Sequence, residues 1–149
     1  MAGPANLIKA QIKSNLDALV TAGTLGAVVE KDLNVNPLSD DLPGYPCAVL
    51  GTSDMQSDWL YQQYNRRTYT FDILIAQLVD NLAAMGDLED LRDAIALQFD
   101  NDVTLNGAAP LGVSAIMSPK MQIASAGKNW AVFYVRIKAT TLAALTYNF

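Results

Sequence analysis

The chain has 149 residues, a hydrophobic fraction of 51%, a charged fraction of 17% and a formal charge of −5. That length suits one domain, which at about 150 residues buries roughly 68–70% of the surface its unfolded chain exposes. The acidic balance, with no cationic run longer than Arg66-Arg67, argues against gripping nucleic acid, which is won by neutralising phosphates. Typical soluble domains are about 45–50% apolar and about 25% charged, so this chain is oilier and less charged than most. A domain that gives apolar surface to a neighbouring subunit has this composition, and so does an ordinary domain at the edge of the distribution.

The opening "MAGPANLIKAQIKSNL" has no continuous apolar h-region and does not read as a secretory signal. Ile8, Ile12, Leu16, Leu19 and Val20 recur at helical spacing, with Lys9, Lys13 and Asp17 on the other side. Asn6 is the expected N-cap, and Gly23 sits where a left-handed C-terminal residue belongs. A short apolar strand is expected over 26–31. "NVNPLSDDLPGYP" then makes a long loop, about 32–46, of the kind that is either functional or mobile.

A second strand is expected from Cys47 to Thr52, followed by a loop at about 53–65. That loop concentrates Trp59, Tyr61 and Tyr64 with Asp54, Asp58, Arg66 and Arg67. The third strand, "RRTYTFDILIAQ", alternates: Tyr69, Phe71, Ile73 and Ile75 form one face, and Thr70, Asp72, Leu74 and Ala76 the other. A second helix carries Leu88, Leu91, Ile95 and Phe99, with Asp87 and Asp90 placed as a capping box; Leu82 to Met85 offer a backward extension.

Two long strands then flank a turn at Ala126-Gly127-Lys128. On the last, Phe133, Val135 and Ile137 share a face opposite Trp130, Val132, Tyr134, Arg136 and Lys138. Residues 143–149 read as a C-terminal arm. The order predicts a single α+β domain: a mainly antiparallel, mixed sheet with two helices packed on one face.

Catalytic signatures are thin. There is no histidine, which removes the commonest general acid/base and metal ligand. The aspartates, including Asp40 and Asp41, fall in turns and caps, where they have structural reasons to be. "DNDVTLNG" starts like a calcium loop but lacks the glycine at position six and the glutamate at position twelve, and reads as a solvated helix end. Cys47 is the sole cysteine, in a strand where a small buried hydrophobe is expected. No apolar run approaches the ~20 residues of a membrane-spanning helix. A soluble protein with no enzyme activity, cofactor or metal is expected.

The helix-free side of the sheet is the unusual feature, since Leu74, Trp130 and Tyr134 share it with Asp72 and Arg136. Trp, Tyr and Arg are enriched where binding energy concentrates at protein interfaces. Ordinary surface hydrophobes would also look like this. On the interface reading the expected residues are Asp72, Leu74, Trp130, Tyr134 and Arg136, with Asp54, Asp58, Trp59, Tyr61, Tyr64, Arg66 and Arg67. The two arginines alternatively anchor neighbouring carboxylates or are solvated strand-end charges. Asp72 and Arg136 are expected to pair if their strands are neighbours.

Taken together, "NLIKAQIKSNLDALV", the long loop, "RRTYTFDILIAQ", "DLEDLRDAIALQF" and "NWAVFYVRIKATTL" resemble the tail-terminator (tail-completion, neck) proteins of tailed bacteriophages. The resemblance implies a virion protein without catalytic activity, made in the host cytoplasm, that forms a ring, usually of six subunits. The ring would cap the tail tube and meet head–tail connector proteins, with the sheath a further candidate contact. DNA would pass through its lumen without specific binding. Two alternatives stand beside it: another neck component such as a connector or stopper ring, and a monomeric ligand-binding domain whose loop, Asn34 to Pro46, acts as a lid.

Overall fold

The computed structural model describes residues 3–34, 38, 42–61, 64–78, 82–119, 121–125 and 127–144. In chain order these form α1 (Pro4–Thr21), β1 (Ala27–Glu30), β2 (Cys47–Tyr61), β3 (Tyr64–Leu78), α2 (Leu82–Asp100), β4 (Val113–Met117), β5 (Met121–Ser125) and β6 (Lys128–Ala144). The strands make one six-stranded sheet in the order β1-β2-β3-β6-β4, with β5 also paired to β6. Only β1 and β2 run parallel; every other pairing is antiparallel.

Helix α1 begins earlier than Asn6. Gly3 is its N-cap and Pro4 its first residue, a position where proline's missing N–H costs nothing and its φ is already helical. Its end is a Schellman motif: Gly23, at φ 82°, donates its N–H to Val20 O at 3.0 Å, and Thr24 donates to Leu19 O at 2.9 Å. Helix α2 starts at Leu82, so Asp87 lies inside it and not at an N-cap.

Both helices lie on one face of the sheet. Ile8, Ile12 and Leu16 of α1 and Leu88, Leu91, Ile95 and Phe99 of α2 pack on Leu50, Phe71, Ile73, Ile75, Phe133, Val135 and Ile137. The period-two alternation of β3 and β6 supplies that floor. Burying each such side chain contributes about 1.5–3 kcal/mol relative to leaving it in water.

The loop 101–112 is fastened to α1. The Asp102 carboxylate accepts from Gln11 Nε2 at 3.0 Å, Asn15 Nδ2 at 2.9 Å and the Asn106 N–H at 2.8 Å. Gln98 Nε2 completes the group by donating to Asn15 Oδ1 at 3.0 Å. Asp102 is therefore a clamp between segments, where a solvated helix end was expected.

The parallel β1–β2 pair has a topological consequence. Parallel neighbours require the chain to return along the full strand before the second begins. Of that return, Leu33, Leu38, Leu42 and Tyr45 lie on the helix-free side of the sheet. Leu38 and Leu42 are buried there over Cys47, Val49, Leu74, Ala76, Trp130 and Val132, with Leu33 and Tyr45 at the rim. The rings of Tyr45 and Trp130 lie 5.7 Å apart at 53°. Gly26 admits the returning backbone: a Cβ there would sit 2.5 Å from Tyr45 N, and its N–H bonds Pro46 O at 2.8 Å.

Three expected boundaries move. Residues 53–61, read as loop, continue β2, which pairs with β3 out to Tyr61↔Tyr64; residues 62 and 63 lie outside the described residues. The strand expected before Ala126 is two strands. Ser118 and Pro119 part them, the Ser118 Oγ taking the Tyr134 N–H at 2.8 Å where a ladder bond would be. Of the expected C-terminal arm, Ala143 and Ala144 belong to β6, and residues 145–149 lie outside the described residues.

Candidate partner-binding surface

A register shift in β2 between Leu50 and Ser53 decides what the helix-free face presents. Before it, Cys47 and Val49 point into the cluster that Leu38 and Leu42 complete. The extra residue of a bulge reverses the alternation beyond it. Asp54, Gln56 and Asp58 consequently join that face, opposite Thr70, Thr68 and Arg66. The next strand continues the rows: Thr70↔Lys138, Thr68↔Thr140, Arg66↔Leu142 and Asp72↔Arg136. β4 adds Ser114 beside Lys138 and Ile116 beside Arg136.

The face therefore has two halves. One is internal core: Leu74 is 1% exposed and Trp130 0%, both covered by Leu38 and Leu42 of their own chain. This corrects the expectation that these two side chains are offered to a partner. The other half is open, and it holds Asp72, Tyr134 and Arg136. As expected from their facing positions, Arg136 Nε donates to Asp72 Oδ1 at 2.9 Å and Nη2 to Oδ2 at 3.3 Å. The hydrogen bond to Asp72, and then its charge, hold the guanidinium more firmly protonated.

Two shallow grooves run along the open half. One, of about 410 Å³, is lined by Asp72, Ile116, Met117, Ser118, Tyr134 and Arg136. The other, of about 440 Å³, includes Gln56, Thr68, Ser114, Lys138 and Thr140. Among the described residues Lys138 makes no ion pair.

The β2–β3 hairpin carries the rest of the expected residues. Asp58 and Arg66 face each other at 3.7 Å. On the hairpin's opposite face, Met55 pairs with Tyr69, Ser57 with Arg67 and Trp59 with Asn65. Trp59 is 63% exposed and Met55 54%, while Asn65 Nδ2 reaches Ser57 Oγ at 3.2 Å. Arg67 Nε and Asn65 Oδ1 are covered without a hydrogen-bond partner among the described residues. Arg66 and Arg67 thus divide: one is an exposed charge beside Asp58, the other a half-buried one on the reverse side.

Sequence reasoning missed Met55, Ile116 and Lys138. Met55 sat in an expected loop, and Ile116 reads as an ordinary strand hydrophobe until the edge position of β4 is known. Lys138 had a signal, since it follows Arg136 at the same-face spacing on β6.

Chemically this surface can bind by contact: a paired and an unpaired cation, a carboxylate-bearing hairpin, and exposed Trp, Met and Ile. Cys47 offers nothing to it, because burial pushes the thiol up to about 11 despite the opposing charge of Lys31. Among the described residues no three His, Cys, Asp or Glu side chains gather in a metal-ligating group, and no helix is long and apolar enough to cross a membrane. No protein-family model matches the chain, and no curated protein matches it.

Proposed function

We propose that this protein is a structural component of a phage tail that works without catalysis, as a ring, usually of six copies, closing the tail tube and meeting the head connector while DNA passes through. One observation supports this most: the open half of the sheet and the β2–β3 strands offer exposed groups where the sequence concentrates Trp, Tyr, Arg and Asp. Binding energy at protein interfaces concentrates in such residues, and Trp59, Met55 and Ile116 are large hydrophobics held in water by a single chain. The acidic balance of the chain suits a lumen that must release DNA, since like charge keeps phosphates from lodging.

The ligand-binding alternative has less to stand on. Its lid was to be the 34–46 segment, yet Leu38 and Leu42 fill the space beneath that segment themselves. Leu38 and Leu42, packed with Trp130 and Leu74, are part of the core.

Light scattering of the purified chain over a range of concentrations, followed by negative-stain imaging, tests the proposal. It expects particles of several subunits with a central hole, in solution or on tail tubes. A chain that stays monomeric in both settings would contradict it.

A further inference from the structure

Resting on the ring reading, the structure points to which two patches meet. A closed ring needs a heterologous contact, in which one patch of a copy binds a different patch of the next. The hairpin tip and the grooves of the open half complement one another. The tip presents Trp59 and Met55 on one side and Asp54 and Asp58 on the other. The grooves offer half-buried Tyr134 and Ile116, the latter 54% exposed, at one end, and Lys138 at the other.

Ile116 and Lys138 are diagonal neighbours on adjacent strands, about 7–8 Å apart. A strand entering edge-on directs successive side chains to opposite sides, so Asp58 and Trp59 can reach both ends at once. The edge itself is available: β1 pairs with β2 only from Cys47 to Leu50. No other described strand lies along the outer side of β2 beyond that point.

The chain's own hairpin cannot fill its own grooves. β2 and β3 form their floor through Gln56, Thr68 and Asp72, and they are bonded into the sheet along their length. A hairpin that fills them must therefore belong to another molecule. A second copy fits best, because the tip's acid, held only at 3.7 Å by the exposed Arg66, and its exposed indole match the exposed cation and aliphatic groups of the groove. Two chains of formal charge −5 repel overall, and only a locally complementary placement overcomes that.

We infer that the β2–β3 hairpin tip of one copy seats in the outer-face groove of the next, with Trp59 against Ile116 and Tyr134 and Asp58 against Lys138. The contact is one-way around the ring.

Disulfide trapping tests it. W59C and I116C are made singly and together, and Cys47, being buried, stays silent. Mild oxidation of mixed single variants should give dimers, and the double variant a ladder of covalent multimers. Assembled particles that fail to cross-link, or that link only through two W59C positions, overturn this contact and leave the ring reading standing. Wild-type chains that stay monomeric in solution and on tubes overturn both.

Charge exchange gives a second measure. Lys138→Glu should raise the concentration for half-assembly about tenfold, a modest share of what a close interfacial charge pair supplies. Adding Asp58→Lys to the same chain should restore assembly. Failure of that rescue, with the folded spectrum intact, counts against the pairing.

Discussion

Asp72 and Arg136 stand directly opposite one another on β3 and β6, joined by two hydrogen bonds of 2.9 and 3.3 Å. Their pair marks the boundary between the covered and open halves of the helix-free face. The next pair on the same face of β3 is Leu74 opposite Tyr134, and there Leu38 and Leu42 begin to cover the sheet. Because the pair is solvent-exposed, Asp72→Asn should leave the unfolding midpoint in urea unchanged. Its effect should appear as a steeper salt dependence of assembly, since a freed Arg136 is screened by added salt.

Trp130 lies under Leu38, Leu42 and Tyr45. Trp130→Ala should therefore destabilise the fold by about 3–5 kcal/mol, as large core truncations do. Equilibrium unfolding in urea measures it. An unchanged midpoint would mean that the side chain is not core.

Trp59 should behave in the opposite way. It is mostly exposed on the hairpin, so Trp59→Ala should change stability by no more than about 0.5 kcal/mol, the usual range for surface sites. Sedimentation velocity should show a marked loss of assembly. A destabilised fold with intact assembly would reverse the assignment.

The different places of these two tryptophans show what the sequence could and could not reveal. Alternation alone identified the helix-side floor, because Phe71, Ile73 and Ile75 obey period two and so do Phe133, Val135 and Ile137. It also placed Asp72 and Arg136 on a shared face. What covers Trp130 was not legible, because Leu38 and Leu42 sit among prolines, glycine and aspartates with no periodicity. Their burial follows from the parallel β1–β2 pairing, a long-range fact. The extension of β2 was hidden for a related reason: "SDMQSDW" has weak strand propensity, and β3 holds it in the sheet. Among the expected interface residues, those on the hairpin and the open half remain accessible or half-buried where their side chains are described; Leu74 and Trp130 do not.

Acidification should weaken the fold through Asp102. Burial pushes its carboxyl up, but hydrogen bonds from Asn15, the Asn106 N–H and Gln11 outweigh that and leave its pKa below the ordinary carboxylate value. A group lowered on folding stabilises the fold above its unfolded pKa of about 3.9 and loses that contribution as pH falls through the folded value. Urea midpoints of wild type and Asp102→Ala should differ by a constant amount from pH 5 to 7. The two should converge below about pH 4. A difference that grows on acidification would contradict this assignment.

Cys47 should resist alkylation by iodoacetamide at neutral pH while the chain is folded, its thiol being buried and pushed up to about 11. In urea it should react readily. Fast reaction of the folded chain would show that the cover over the sheet opens.

The most direct test of the account is binding to tail tubes assembled from cognate tube protein, with the chain gold-labelled and imaged. Capping predicts label at one end of each tube, in an amount independent of tube length, and no further growth when tube protein is added. Label spread along the wall in proportion to length, or growth that continues unchanged, would contradict it.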